Sequence, residues 1–143
     1  MTIVAGTLFL SVMLAPSLKP TPIPTESAPL SEPTVLTEDF LRQVGRGEVD
    51  QALDNVMKGS TWSSQQQKVD LLRGQIKTAM GLYGAYLGIE RVQEKQYSPS
   101  IVRLTYVMKL ERNYLVWNLV FYRPRERWEM NFITFVDQPS GLD

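Results

Sequence analysis

The chain has 143 residues, 15 Lys plus Arg against 15 Asp plus Glu, 43% hydrophobic residues, and neither His nor Cys. That length holds one domain core and is too short for two, and zero formal charge is unlike proteins that displace counterions from nucleic acid, so no nucleic-acid partner is expected. Without His or Cys, no Ser-His-Asp or Cys-His nucleophile, Cys/His zinc site, c-type haem attachment or disulfide framework can be assembled, and neither a metal nor a cofactor is expected.

From Met1 to Leu18 there is no ionisable side chain, and Ile3 to Ala15 is almost wholly apolar. A helix crossing a hydrocarbon core needs about 20 apolar residues, whereas the central region of a signal peptide needs roughly 7 to 15. Residues 1–17 therefore read as a signal peptide, in preference to a short membrane anchor over 1–18, although the basic residue that normally opens such a peptide is missing. Ala15 and Ser17 flank Pro16 in a small-x-small pattern that places cleavage after Ser17. Six of the nine prolines follow between Pro16 and Pro33. Proline donates no amide hydrogen and fixes φ, so 18–35 is expected to be an extended linker that joins neither sheet nor helix. Export places the protein in the periplasm or outside the cell, with membrane contact only through an uncleaved N-terminus. The folded domain is expected over 36–143.

Thr37, followed by Glu38 and Asp39, reads as a helix start, with a hydroxyl cap and carboxylates beside the positive end of the macrodipole. Phe40, Leu41 and Val44 give a short apolar face, Gly45 and Gly47 loosen the helix, and Val49, Ala52, Leu53, Val56 and Met57 resume the period until Gly59. A second helical segment is predicted from a Ser64 capping box, with Val69, Leu72, Ile76, Ala79 and Met80 on one face, to Gly81.

The period then changes from 3.6 to 2. Tyr86, Leu87, Ile89 and Val92 mark an irregular first strand ending near Ser98-Pro99-Ser100. Val102, Leu104, Tyr106, Met108 and Leu110 form one side of the second; Leu115, Trp117, Leu119 and Phe121 one side of the third; and Trp128, Met130, Phe132 and Val136 one side of the fourth. Short connections between alternating strands mean an antiparallel meander with its apolar face on the helices. The fold class is thus α+β, N-terminal helices packed on a curved antiparallel sheet of about four strands.

The order of elements, and above all the run from Val120-Phe121-Tyr122-Arg123-Pro124 through Trp128 to Phe132-Ile133-Thr134-Phe135-Val136-Asp137, resembles the nuclear transport factor 2-like superfamily. It is similar in particular to small exported bacterial members of unknown function. The order matches over Thr37 to Asp137, the motif only over the last 18 of those residues. The resemblance implies a cone fold and leaves function open, because that superfold hosts isomerases, dehydratases, transport factors and inert modules.

Cone-fold isomerases place a carboxylate base and a tyrosine donor on the inner strand face, since proton abstraction beside a carbonyl needs a base and an oxyanion donor. Tyr106 supplies the donor, but no strand position on that face supplies the base, so no catalytic residue is assigned. The leading expectation is a non-catalytic module of the cell envelope, for protein interaction or for a small hydrophobic ligand; the alternative is an isomerase or dehydratase that uses Tyr106 with an unrecognised carboxylate. Trp62, Tyr86, Tyr106, Trp117, Phe121 and Phe132 are the candidates for a ligand pocket at the cone mouth, although aromatics in a small domain more commonly fill the core. Val107, Val116, Val120, Tyr122, Ile133 and Phe135 would form an apolar patch on the outer sheet face, too contiguous for a solvated surface. Since members of the superfamily often dimerise through that face, a homodimer or an envelope protein partner is expected there. Arg123, Arg125 and Arg127 crowd one hairpin tip and read as a charged turn that keeps an edge soluble.

Overall fold

A computed structural model describes residues 31–143; the expected signal peptide (1–17) and the expected linker up to residue 30 lie outside the described residues. The described order is helix α1 (Glu32–Gly45), helix α2 (Val49–Met57), a 3-10 turn (Thr61–Ser64), helix α3 (Gln66–Tyr83), strands β1 (Tyr86–Ser98), β2 (Ile101–Leu110), β3 (Tyr114–Tyr122) and β4 (Glu129–Val136), and a 3-10 turn (Pro139–Leu142). The strands form one antiparallel sheet in the order β1-β2-β3-β4. Among the described residues no helix is long and apolar enough to cross a membrane.

Helix α1 starts at Glu32, inside the stretch 18–35 expected to be linker. Ser31 caps α1 by accepting from the Thr34 amide (3.3 Å), and Pro33 sits in the first turn, where its missing amide hydrogen leaves no bond unmade. Thr37, the expected cap, is buried one turn in and donates its hydroxyl to the Pro33 carbonyl (2.8 Å). Gly45, the last residue of α1, has to be glycine because the Tyr86 ring lies against it: a β-carbon there would be 2.6 Å from the ring. Gly47, at φ +84°, then turns the chain into α2. The first helical segment is therefore two helices, each burying the residues its period selects: Phe40, Leu41 and Val44 from α1, and Val49, Ala52, Leu53, Val56 and Met57 from α2. The Ser64 capping box does not form. Ser64 donates instead to the Thr61 carbonyl (2.9 Å) inside the 3-10 turn, and α3 runs past Gly81 to Tyr83, where Gly84 at φ +88° ends it.

The inner face of β2 (Val102, Leu104, Tyr106, Met108, Leu110) and of β3 (Leu115, Trp117, Leu119, Phe121) is buried throughout, as strict alternation demands. In β4 the alternation breaks. Phe121 pairs with Met130 but Val120 pairs with Phe132, so Asn131 is an extra residue, a bulge that reverses the phase of everything after it. Ile133 and Phe135 therefore point inward, opposite Leu119 and Trp117, and Phe132 points outward, 48% exposed. The bulge is fastened from the helical layer, since the Trp62 indole donates to the Asn131 carbonyl (2.9 Å).

Two corrections to the outer sheet face follow. Ile133 and Phe135 leave it for the core, and Val116 is fully buried because the C-terminal 3-10 turn covers it. That turn is pinned by Asn118, which donates to the Gly141 carbonyl (2.9 Å) while accepting from the Thr105 hydroxyl (2.6 Å). Of the six expected patch residues, Val107, Val120 and Tyr122 remain at the outer surface, with Phe132 joining them.

Candidate functional site

The apolar stripe of α3 is narrow: only Val69, Leu72 and Ile76 are buried. A second row on the same helix, Leu71, Gln75, Thr78 and Leu82, repeats at i, i+4, i+7, i+11 and faces away from α2. Between this row and the adjoining ends of β3 and β4 lies a cleft of about 730 Å³. Its apolar lining is Leu71, Ala79, Leu82, Leu115, Phe135 and Val136, and its polar lining is Asp70, Gln75, Thr78, Tyr83, Asp137 and Gln138, with the backbone of Gly74 completing the wall. Leu71 and Leu82 are 64% and 59% exposed, an unusual degree for large aliphatic side chains beside a cavity.

The floor is rigid. Phe135 stacks on the fully buried Trp117 (4.8 Å between centroids, 29°), and Phe40 meets the Trp117 edge (5.5 Å, 80°). One end is closed by the Tyr83 hydroxyl, which donates to Asp137 Oδ2 and so ties α3 to the end of β4. That bond to a carboxylate pushes the Tyr83 pKa upward. At the other end Asp70 pairs with Arg73 (2.6 Å). Among the described residues no basic side chain lines the cleft, and with Asp70 paired to Arg73 its one carboxylate outside an ion pair is Asp137, so it favours a neutral or cationic apolar occupant over an anion.

The residues expected at a pocket are not gathered around it. Tyr106, Trp117 and Phe121 are core, each at most 1% exposed. Tyr86 is half-buried against Gly45, Trp62 is the clasp on the β4 bulge, and Phe132 is on the outer face. None of the six lines the cleft. The residues that do, chiefly the second row of α3, were legible only as Leu71 and Leu82 standing off the main stripe.

Tyr106 does have a carboxylate partner, contributed by a helix rather than a strand. Its hydroxyl donates to Glu38 Oε1 (2.9 Å), and Glu38 also pairs with Arg42 (3.2 Å). Burial, then the bond to Glu38, raises the Tyr106 pKa well above the ordinary tyrosine value. Neither residue lines the cleft. Among the described residues no cluster of three or more Asp or Glu is arranged to hold a metal ion.

No protein-family model matches the sequence, and no curated protein matches it. In three dimensions the chain is similar to one from Campylobacter jejuni described as an NTF2-like transpeptidase, with a TM-score of 0.54 and 10% sequence identity over 70% of this chain and 97% of that one. The helices packed on a four-stranded antiparallel meander and this structural likeness agree: the chain has a nuclear transport factor 2-like α+β fold.

Proposed function

We propose that this is an exported, non-catalytic module of the cell envelope that binds a small neutral apolar molecule in the cleft between α3 and β4. The observation that carries the reading is the lining itself: six apolar side chains over a stacked aromatic floor, with no basic side chain among the lining residues. The export part rests on the apolar Ile3–Ala15 stretch and the proline-rich spacer behind it.

The transpeptidase description belongs to the Campylobacter jejuni chain. Acyl transfer by a Cys-His or Ser-His nucleophile has no counterpart in a sequence without His or Cys. The isomerase or dehydratase alternative would need substrate carbon beside Tyr106 and Glu38, and Tyr106 is 1% exposed with no described cleft reaching it.

The test is fluorescence titration with a neutral probe, N-phenyl-1-naphthylamine, and with the anionic 1-anilinonaphthalene-8-sulfonate. Saturable binding of the neutral probe is expected, with the anion weaker. Thr78→Trp, which fills the cleft from an exposed helix position, should abolish it. Equal binding of both probes, or binding unaffected by Thr78→Trp, would remove the proposal.

A further inference from the structure

Strand β1 is an edge. It hydrogen-bonds to β2 on one side and to no described strand on the other, and Arg91 to Tyr97 are all exposed. Such an edge is a template for pairing unless something blunts it.

Its register against β2 skips Leu87, Val92 and Tyr97, three irregularities five residues apart. The one at Val92 matters most, because it changes which residues share a side. Before it, Arg91 pairs with Tyr106 of the inner face and Glu90 with Val107 of the outer; after it, Glu94 pairs with Leu104 of the inner face and Lys95 with Arg103 of the outer. Arg91 and Glu94 thus lie on one side of the strand, Glu90 and Lys95 on the other. A strand without the bulge would put Arg91 and Glu94 on opposite sides.

We propose that the β1 edges of two copies of this chain pair antiparallel about a two-fold axis between Val92 and Gln93, joining two four-stranded sheets into one of eight strands. A two-fold axis perpendicular to a sheet keeps each side facing the same way, so every residue must oppose one from its own side. About that axis Arg91 opposes Glu94 of the second copy on the inner side, and Glu90 opposes Lys95 on the outer side. Symmetry makes each pair twice, giving four ion pairs of opposite charge. Moving the axis onto Val92 sets Glu90 against Glu94, and moving it onto Gln93 sets Arg91 against Lys95; each of these pairs joins residues from opposite sides of the strand, so both registers break the same-side requirement that the charged pairs meet about the axis between Val92 and Gln93. The same register sets Tyr97, 52% exposed, across from Gly88, which at φ +145° offers a surface without a side chain.

Within one copy these charges hold exposed partners: Arg91 with Glu94 (3.4 Å), Glu94 also with the Ser31 hydroxyl (3.1 Å), Glu90 with Lys109 (3.2 Å), and Lys95 over the Tyr97 ring (4.8 Å) with no carboxylate within 4 Å among the described residues. Such pairs exchange at little cost. The outer-face patch, reduced to Val107, Val120, Tyr122 and Phe132, carries no comparable self-complementary pattern. The inference is independent of the cleft and its ligand.

Sedimentation velocity on the full chain tests it. The wild type is expected to dimerise, more weakly as salt rises. Lys95→Glu alone and Glu90→Lys alone each place two like-charge pairs across the axis and should weaken the dimer about tenfold or more. Mixing those two variants should restore association as a heterodimer, because each then meets its opposite, and that recovery also shows that both fold. The outer-face variant Tyr122→Glu should dimerise as the wild type does. A wild type that stays monomeric at high concentration, two single variants that fail to associate on mixing, or a dimer dissolved by Tyr122→Glu would each overturn the proposal.

Discussion

Phe135→Ala and Phe132→Ala, compared in one experiment, decide whether Asn131 is truly an extra residue in β4. Uninterrupted alternation from Trp128 puts Phe132 in the core and Phe135 on the surface; the bulge reverses them. Removing a fully buried Phe costs about 3–5 kcal/mol. Phe135 buries most of its surface and also loses its stacking on Trp117, a pair that contributes about 0.5–1.5 kcal/mol, so about 2–3 kcal/mol is expected for Phe135→Ala. Phe132 is 48% exposed and opposes Val120 on the outer face, so its truncation should cost under about 1 kcal/mol. Urea unfolding followed by far-UV circular dichroism separates the two, and at this chain length the difference corresponds to roughly 5–10 °C in Tm. A larger loss for Phe132→Ala would refute the bulge and, with it, the position of Phe135 on the cleft floor.

Two further outcomes follow from packing and from titration. In Gly141→Val, the new β-carbon would stand 2.5 Å from Val136 Cγ2 and 2.9 Å from Val116 Cβ, so the C-terminal turn should lift from the outer face at a cost of about 1–3 kcal/mol; hydrogen exchange should quicken around Val116 and Asn118, and unchanged protection there would contradict the pinned turn. Because the Tyr106 pKa is raised in the folded state, its contribution to stability is complete below the unfolded tyrosine value of about 10 and is lost as pH rises beyond it. Urea midpoints measured at pH 8 and pH 11 should therefore fall less in Tyr106→Phe than in the wild type, and parallel falls would argue against the buried bond to Glu38.

Regular segments were legible in the sequence because nothing interrupts their period. Every residue that alternation placed on the inner side of β2 and β3 is buried, and the apolar faces of α1 and α2 fall where the 3.6 period puts them. The phase of β4 was hidden because Phe132, Ile133 and Phe135 are all large and apolar, so both phases look equally hydrophobic and only the pairing with β3 reveals the extra residue. The start of α1 was hidden by Pro33, which reads as linker by composition yet is tolerated in a first turn. Glu38 was taken for a residue of the first helical turn, whereas the earlier start of α1 brings it over the sheet to the Tyr106 hydroxyl. The cleft was the least legible feature. Its wall is a second, half-polar row on α3 beside the true core stripe, and only the way the helix sits on the sheet exposes it.

Occupation of the cleft between α3 and β4 can be followed residue by residue in a 1H–15N chemical-shift titration of the protein with N-phenyl-1-naphthylamine. Saturable shifts should concentrate in Leu71–Tyr83 and Phe135–Gln138, the two walls of the cleft. Shifts centred instead on the groove between α1 and α2, around Gln43 and Asn55, or no saturable shifts at all, would contradict it.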